Sequence, residues 1–238
     1  MATLRILSAG AAQAVSERII KDFRRDTGAQ VFAEFGAVGA MKARAATEPV
    51  DVITLTHAMI EELAASGLVT PGTRVDLGTV GTGVAVRTGV AVPDVSTAEA
   101  LRAAVRASNK IICPDPAIAT AGKVVMRCLE KLGVADEVRG RMQFFPNGYA
   151  AMSWLADSRG EGELGITQVT EIVPNKAVTY VGPLPDAFQM KTVYSIGLAQ
   201  KAAEADLARD FIARFKGPAA QRLLEEAGFE LNTTGGIK

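Results

Sequence analysis

Apolar residues recur along this chain in two alternating rhythms. Residues 4–7 form a short apolar strand candidate, and residues 11–27 then bring Val15, Ile19, Ile20 and Phe23 onto one helical face before Gly28. The cycle repeats. A strand is expected at residues 30–35, a small-residue turn at 36–39 and a helix at 41–46; a third strand falls at 50–55 and a third helix at 60–66. Strands alternating with helices at this spacing imply βαβ units and a parallel sheet, whose ligand sites lie at the carboxyl ends of the strands.

Near Val80 the rhythm changes, because Gly-Thr-Gly-Val-Ala-Val-Arg at 81–87 predicts one strand with no crossover helix before Pro93. This strand is expected to bridge two lobes. A second α/β set follows: helix 97–107, strand 110–113, helix 122–132, strand 142–145, helix 149–157 and strand 164–167. A last apolar strand at 192–199 and helices at 203–215 and 218–227 are expected to return to the first lobe. The fold class is therefore α/β, with residues 1–85 and 191–238 in a discontinuous first lobe and 86–190 in a second. Hinges are expected near 80–87 and 191–198.

At 238 residues, 48% hydrophobic and 22% charged, the chain can bury a substantial core. Lys and Arg total 26 and so do Asp and Glu, so no basic excess exists to neutralise a nucleic-acid backbone, and nucleic acid is not an expected partner. Cys113, Cys128 and the single histidine, His57, do not make a metal-ligand set; no metal and no cofactor are expected. Ser-Ala-Gly-Ala-Ala-Gln-Ala at 8–14 lacks the spacing of a dinucleotide loop and the lysine of a phosphate loop. No apolar run approaches the ~20 residues of a membrane span, so the chain is not expected to be membrane-embedded. Only Ile6 and Leu7 separate Arg5 from the small residues, too short for a secretory leader. The expectation is a periplasmic protein if a leader has been removed and a cytoplasmic one if the chain is native as it stands.

Six segments carry a resemblance: Leu-Arg-Ile-Leu-Ser-Ala-Gly-Ala-Ala at 4–12, Glu-Pro-Val-Asp-Val-Ile-Thr-Leu at 48–55, Asp-Pro-Ala-Ile-Ala-Thr-Ala-Gly at 115–122, Asn-Gly-Tyr-Ala-Ala-Met at 147–152, Gly-Glu-Leu-Gly-Ile-Thr-Gln at 162–168, and the run from Phe215 to Phe229. In this order they resemble the type II periplasmic solute-binding proteins, in particular the molybdate-binding branch. The resemblance implies two Rossmann-like lobes joined by two crossover strands, a ligand cleft between them, a monomer, a small anionic ligand and an ABC permease as docking partner.

The residues themselves point the same way. Turns of small residues at 8–12, 36–40, 119–122 and 147–149 each follow a strand or its exit loop and open a helix. Unpaired N–H groups at helix starts favour an anion, each by about 0.3 to 1 kcal/mol at exposed positions. Backbone donors are expected at Ala11, Ala12, Gly39, Ala121 and Gly148, with Val38 in the second turn, Ser8, Thr56, Tyr149 and Gln168 as side-chain candidates and Lys123 offering an ammonium. Molybdate binders place a serine in each of the first two turns, where this chain has Ala11 and Val38 or Gly39, and the family tyrosine falls on Gln168. Each lost hydroxyl removes about 1.5 to 3 kcal/mol of bonding to a charged ligand, so an organic carboxylate is expected rather than molybdate. The alternative is an isomerase on the same scaffold, acting on an unsaturated di- or tricarboxylate with His57 or Glu34 as base.

Overall fold

A computed structural model describes residues 2–231. Two compact units emerge among the described residues, the first holding residues 2–35, Met41–Val80 and 192–231, the second Gly36–Ala40 and Gly81–Lys191. Besides the short stretch Gly36–Ala40, the chain leaves the first unit at Val80 and re-enters it at Thr192.

The first unit begins with β1 (Thr3–Ala9), a single 3-10 turn at Gly10–Ala12 and α1 (Gln13–Thr27). Gly28, left-handed at φ 68°, closes α1, a conformation that glycine adopts without a Cβ clash. β2 (Gln30–Gly36), α2 (Val38–Ala45), whose first residues 38–40 group with the second unit, β3 (Val52–Thr56), α3 (His57–Ala65) and β4 (Val75–Val80) follow.

In the second unit the order is β5 (Thr82–Arg87), α4 (Ala98–Ala107), β6 (Lys110–Pro114), α5 (Thr120–Lys131), α6 (Ala135–Val138), β7 (Met142–Phe145), α7 (Gly148–Asp157), β8 (Glu163–Gln168), α8 (Val169–Ile172) and β9 (Val178–Pro183). β10 (Thr192–Leu198), α9 (Ala205–Ala213) and α10 (Pro218–Glu226) complete the first unit.

The first sheet runs β2-β1-β3-β10-β4 and the second β7-β6-β8-β5-β9. Neither is wholly parallel. β1 and β3 are parallel while β10 lies antiparallel to β3 and β4; β6 is parallel to β7 and β8 while β5 lies antiparallel to β8 and β9. The expected bridging strand is in fact two, because the chain breaks at Gly81 and sends β4 to the first sheet and β5 to the second. β4 and β9 escape sequence reading, since Val-Asp-Leu-Gly-Thr-Val and Val-Thr-Tyr-Val-Gly-Pro interrupt their alternation with glycine. The helix expected from Met41 begins three residues earlier, at Val38, and the one expected from Ile60 begins at His57.

The face of α1 predicted from periodicity is the one that is buried: Phe23 is sealed from solvent and meets Phe211 of α9 edge-on at 5.2 Å. In the second unit one core layer gathers Val84, Leu101, Ile111, Val125, Leu129 and Ile166, and the other Ile112, Met152, Leu155 and Ile172. Cys113 and Cys128 are buried free thiols, both pushed up to about 12 by that burial, so neither is a nucleophile at neutral pH. Among the described residues no helix is long and apolar enough to cross a membrane, and no group of three His, Cys, Asp or Glu side chains could hold a metal.

Candidate functional site

Four helices open where the small-residue turns lie. In the first unit, the 3-10 turn that delivers α1 is wholly buried, with Ala11 3% and Ala12 0% exposed, and no side chain caps it. Ser8 pairs in register with Thr54 at the ends of β1 and β3, and both are sealed from solvent. The Ser8 hydroxyl donates to the neighbouring Ala9 carbonyl at 3.1 Å, and the hydroxyls of Thr54 and Ser16 are buried with no hydrogen-bond partner among the described residues. Buried polar groups are normally satisfied, so Thr54 on β3 and Ser16 in the first turn of α1 are exceptions.

Thr56 is the N-cap of α3, its hydroxyl accepting from the Met59 N–H at 3.4 Å. That ties it to the helix. His57, the next residue, has Nδ1 3.2 Å from Asp76 Oδ1 and Nε2 3.4 Å from the Arg74 guanidinium. Asp76 also accepts from the Ser195 hydroxyl at 2.7 Å and lies 3.1 Å from Arg74 Nε, while Arg74 pairs onward with Glu61. Burial raises the Asp76 carboxyl, but the Ser195 and His57 hydrogen bonds and the Arg74 charge outweigh it and hold it below the usual carboxylate range. Glu34 lies exposed on β2, gripped at two points by Arg44, both at 2.7 Å; those hydrogen bonds hold its carboxyl low. Arg44 also binds Glu48, and Lys42 pairs with Glu62. The two candidate bases thus sit in separate ion-pair networks of the first unit.

In the second unit, α5 starts after Ala119, again without a side-chain cap. Ala121 and Gly122 are buried in its first turn, and a Cβ at Gly122 would lie 2.6 Å from Pro116 N and collide with the Pro114 carbonyl. Only glycine fits there. Lys123 is exposed on the helix face. Val38 begins α2 almost fully buried, and a Cβ at Gly39 would stand 3.7 Å from the Ile118 carbonyl oxygen.

α7 differs from α1 and α5. Asn147 caps it, its Oδ1 accepting from Ala150 N at 2.9 Å, and the Gly148 N–H points at the Glu171 carboxylate at 3.3 Å. The expected backbone donor is already engaged within the unit. Tyr149 is part-buried in the same turn, and Gln168 is buried at the end of β8, where it precedes α8. Glu171, Asp76, Ser195 and Asp51 were not legible as site or framework residues. Asp51 is the clearest case: 2% exposed, it accepts from the N–H groups of Arg5, Ala203 and Glu204 and so fastens β1 to the approach of α9. Its only signal was a carboxylate between two valines at the entrance of a strand.

Residues 4–230 match the family model described as bacterial extracellular solute-binding protein. The chain belongs to that family. Among curated proteins, this solute-binding protein is similar to an aconitate isomerase from a Pseudomonas species, 26% identical over 237 residues that cover 96% of this chain and 87% of the other. Among solved structures it is similar to the periplasmic molybdate-binding protein of Azotobacter vinelandii, with a TM-score of 0.78, 23% identity, and coverage of 97% of this chain and 100% of the other. The sulfate-binding protein of Mycobacterium tuberculosis follows with a TM-score of 0.74, 18% identity, and coverage of 98% and 88%. Those likenesses establish the type II periplasmic binding-protein fold, two mixed α/β sheets clothed in helices.

Proposed function

We propose that this solute-binding protein takes a small anion, an organic carboxylate rather than molybdate, through backbone N–H groups at its uncapped helix starts. The observation that carries the reading is that α1 and α5 begin in buried small residues, Ala11, Ala12, Ala121 and Gly122, with no side-chain cap. Uncapped starts leave first-turn donors for a ligand, and their partial positive charge selects an anion without a basic net charge. Gly39, Thr56, Tyr149, Gln168 and Lys123 are the further contacts proposed, with Ser8 and Val38 shaping the turns. Absence of a hydroxyl at Ala11 favours a ligand that brings its own breadth over a compact tetrahedral oxyanion. The similarity to an aconitate isomerase supports an organic acid, and that to molybdate- and sulfate-binding proteins supports an anion. Family membership supports delivery of the bound anion to an ABC permease.

Thermal unfolding with trans-aconitate, citrate, sulfate and molybdate tests this. A ligand at 100 times its Kd adds about 2.7 kcal/mol, a shift of several degrees for a chain of this size. A carboxylate is expected to give that shift and molybdate to give none. Tight molybdate binding with no response to carboxylates overturns the reading.

The second reading, an isomerase, rests on similarity to the aconitate isomerase along 96% of this chain. It requires His57 or Glu34 to leave its ion pairs and take a proton from the substrate carbon. Exchange of substrate protons for deuterium, abolished by His57→Ala or Glu34→Gln, would establish it. Binding of cis- and trans-aconitate without exchange or interconversion would leave a transport component.

A further inference from the structure

Glu171 is only 4% exposed, yet among the described residues no cation is bonded to it. Its Oε2 accepts from the Thr167 hydroxyl at 2.6 Å and its Oε1 from the Gly148 N–H at 3.3 Å, with a further backbone donor at Gln168. Gly148 is the first residue of α7, so the carboxylate occupies the place at that helix start where an anion would be favoured. The fit is close. A Cβ at Gly148 would collide with the Glu171 carboxylate and the Thr167 hydroxyl, and only a glycine admits the acid to this position.

Among the described residues no compensating charge acts on the carboxyl. Titratable side chains on the elements packed against α8 are Tyr149 and Asp157 on α7, Glu163 on β8, Arg87 on β5 and Tyr180 on β9. Asp157, Glu163 and Arg87 stand at the ends of their elements remote from the Thr82 and Gln168 pair that adjoins α8. Burial pushes the carboxyl up to about 7, against the opposing hydrogen bonds from Thr167, Gly148 and Gln168. Its proton is therefore exchanged near neutrality.

We propose that Glu171 is a proton-operated competitor for the anion at the start of α7. Ionised, it holds the Gly148 N–H and repels an arriving anion; protonated, it releases the N–H and the repulsion, so that binding the anion draws one proton from solvent onto Glu171. The proposal rests on the anion-binding reading above and adds its regulation: affinity falls as pH rises through neutrality. It makes Glu171 a positioning residue, acting through the α7 start and not by touching the ligand.

Titration calorimetry with trans-aconitate, at pH 6 and pH 8 and in buffers of different ionisation heat, tests it on the whole chain. The wild-type protein is expected to take up close to one proton at pH 8 and to bind about tenfold more weakly there than at pH 6, the ratio for an anion that binds only the protonated form of a group titrating near 7. Glu171→Gln, which keeps the shape without the charge, is expected to bind equally at both pH values and to take up no proton; comparison of the two proteins cancels the titration of trans-aconitate itself. Thr167→Val removes a hydrogen bond to the ionised form and is expected to move the wild-type pH dependence upward without abolishing it. Binding with the same pH dependence in wild type and Glu171→Gln overturns the proposal and leaves the anion-binding reading standing. No binding at either pH overturns that reading and the proposal with it.

Discussion

His57 Nδ1 lies 3.2 Å from Asp76 Oδ1, and the same carboxylate oxygen accepts from Ser195 at 2.7 Å. The aspartate stands between the histidine and the serine, so the trio braces α3, β4 and β10 and does not form a nucleophile relay, in which the histidine would be central. Asp76→Asn is expected to cost about 1 kcal/mol at pH 7, since the pair is part-exposed. The Asp76 carboxyl is lowered in the folded state, so its contribution is present above the unfolded value of about 3.9 and lost as pH falls through the folded one. Melting curves of both proteins should therefore differ by a few degrees at pH 7 and converge below about pH 4.

For Glu171 the sign is opposite. Its folded value, raised to about 7, exceeds the unfolded one, so the acid stabilises the fold below about pH 4.3 and that contribution is lost as pH rises toward 7. Ligand-free Glu171→Gln should lose this decline, which urea unfolding between pH 5 and pH 8 will reveal as a gain relative to wild type, on the order of 3 kcal/mol at most. Parallel pH curves for the two proteins would show that the carboxyl is not titrating in this window.

Two buried glycines at helix starts should respond differently to alanine. At Gly148 the new methyl meets side chains, Glu171 and Thr167, whereas at Gly122 it meets the backbone of Pro114 and Pro116. Both substitutions should destabilise by about 2 kcal/mol or more. A double-mutant cycle with Glu171→Ala should recover much of the Gly148→Ala loss and none of the Gly122→Ala loss, because only a side chain can be cut back.

Removal of the Asp51 carboxylate strands three backbone N–H groups that it now satisfies. Asp51→Ala is expected to cost about 2 to 4 kcal/mol, more than any single exposed ion pair such as Arg44 with Glu34. Chemical denaturation of Asp51→Ala beside Glu34→Gln will give the ratio.

Sequence alone determined the elements whose signals are local. The period of Val15, Ile19, Ile20 and Phe23 placed α1, Gly28 closed it, and the small-residue turns marked where α1, α2, α5 and α7 start, because helix faces and helix ends are set by residues within a few positions of one another. Tertiary structure decided what depends on partners far along the chain. β10 returns 112 residues after the end of β4 to lie antiparallel beside it, and β5 crosses between β8 and β9, so the mixed sheets could not be read from alternation. The chemistry at the helix starts divides in the same way. That Ala11 and Ala121 carry no hydroxyl is written in the chain; that Glu171, 23 residues after Gly148, folds back to occupy its N–H is a consequence of packing α8 against α7. A carboxylate between apolar neighbours gives no sign in one dimension of whether it meets water or a helix end. Burial and a backbone donor make that choice, and both exist only once the chain has folded.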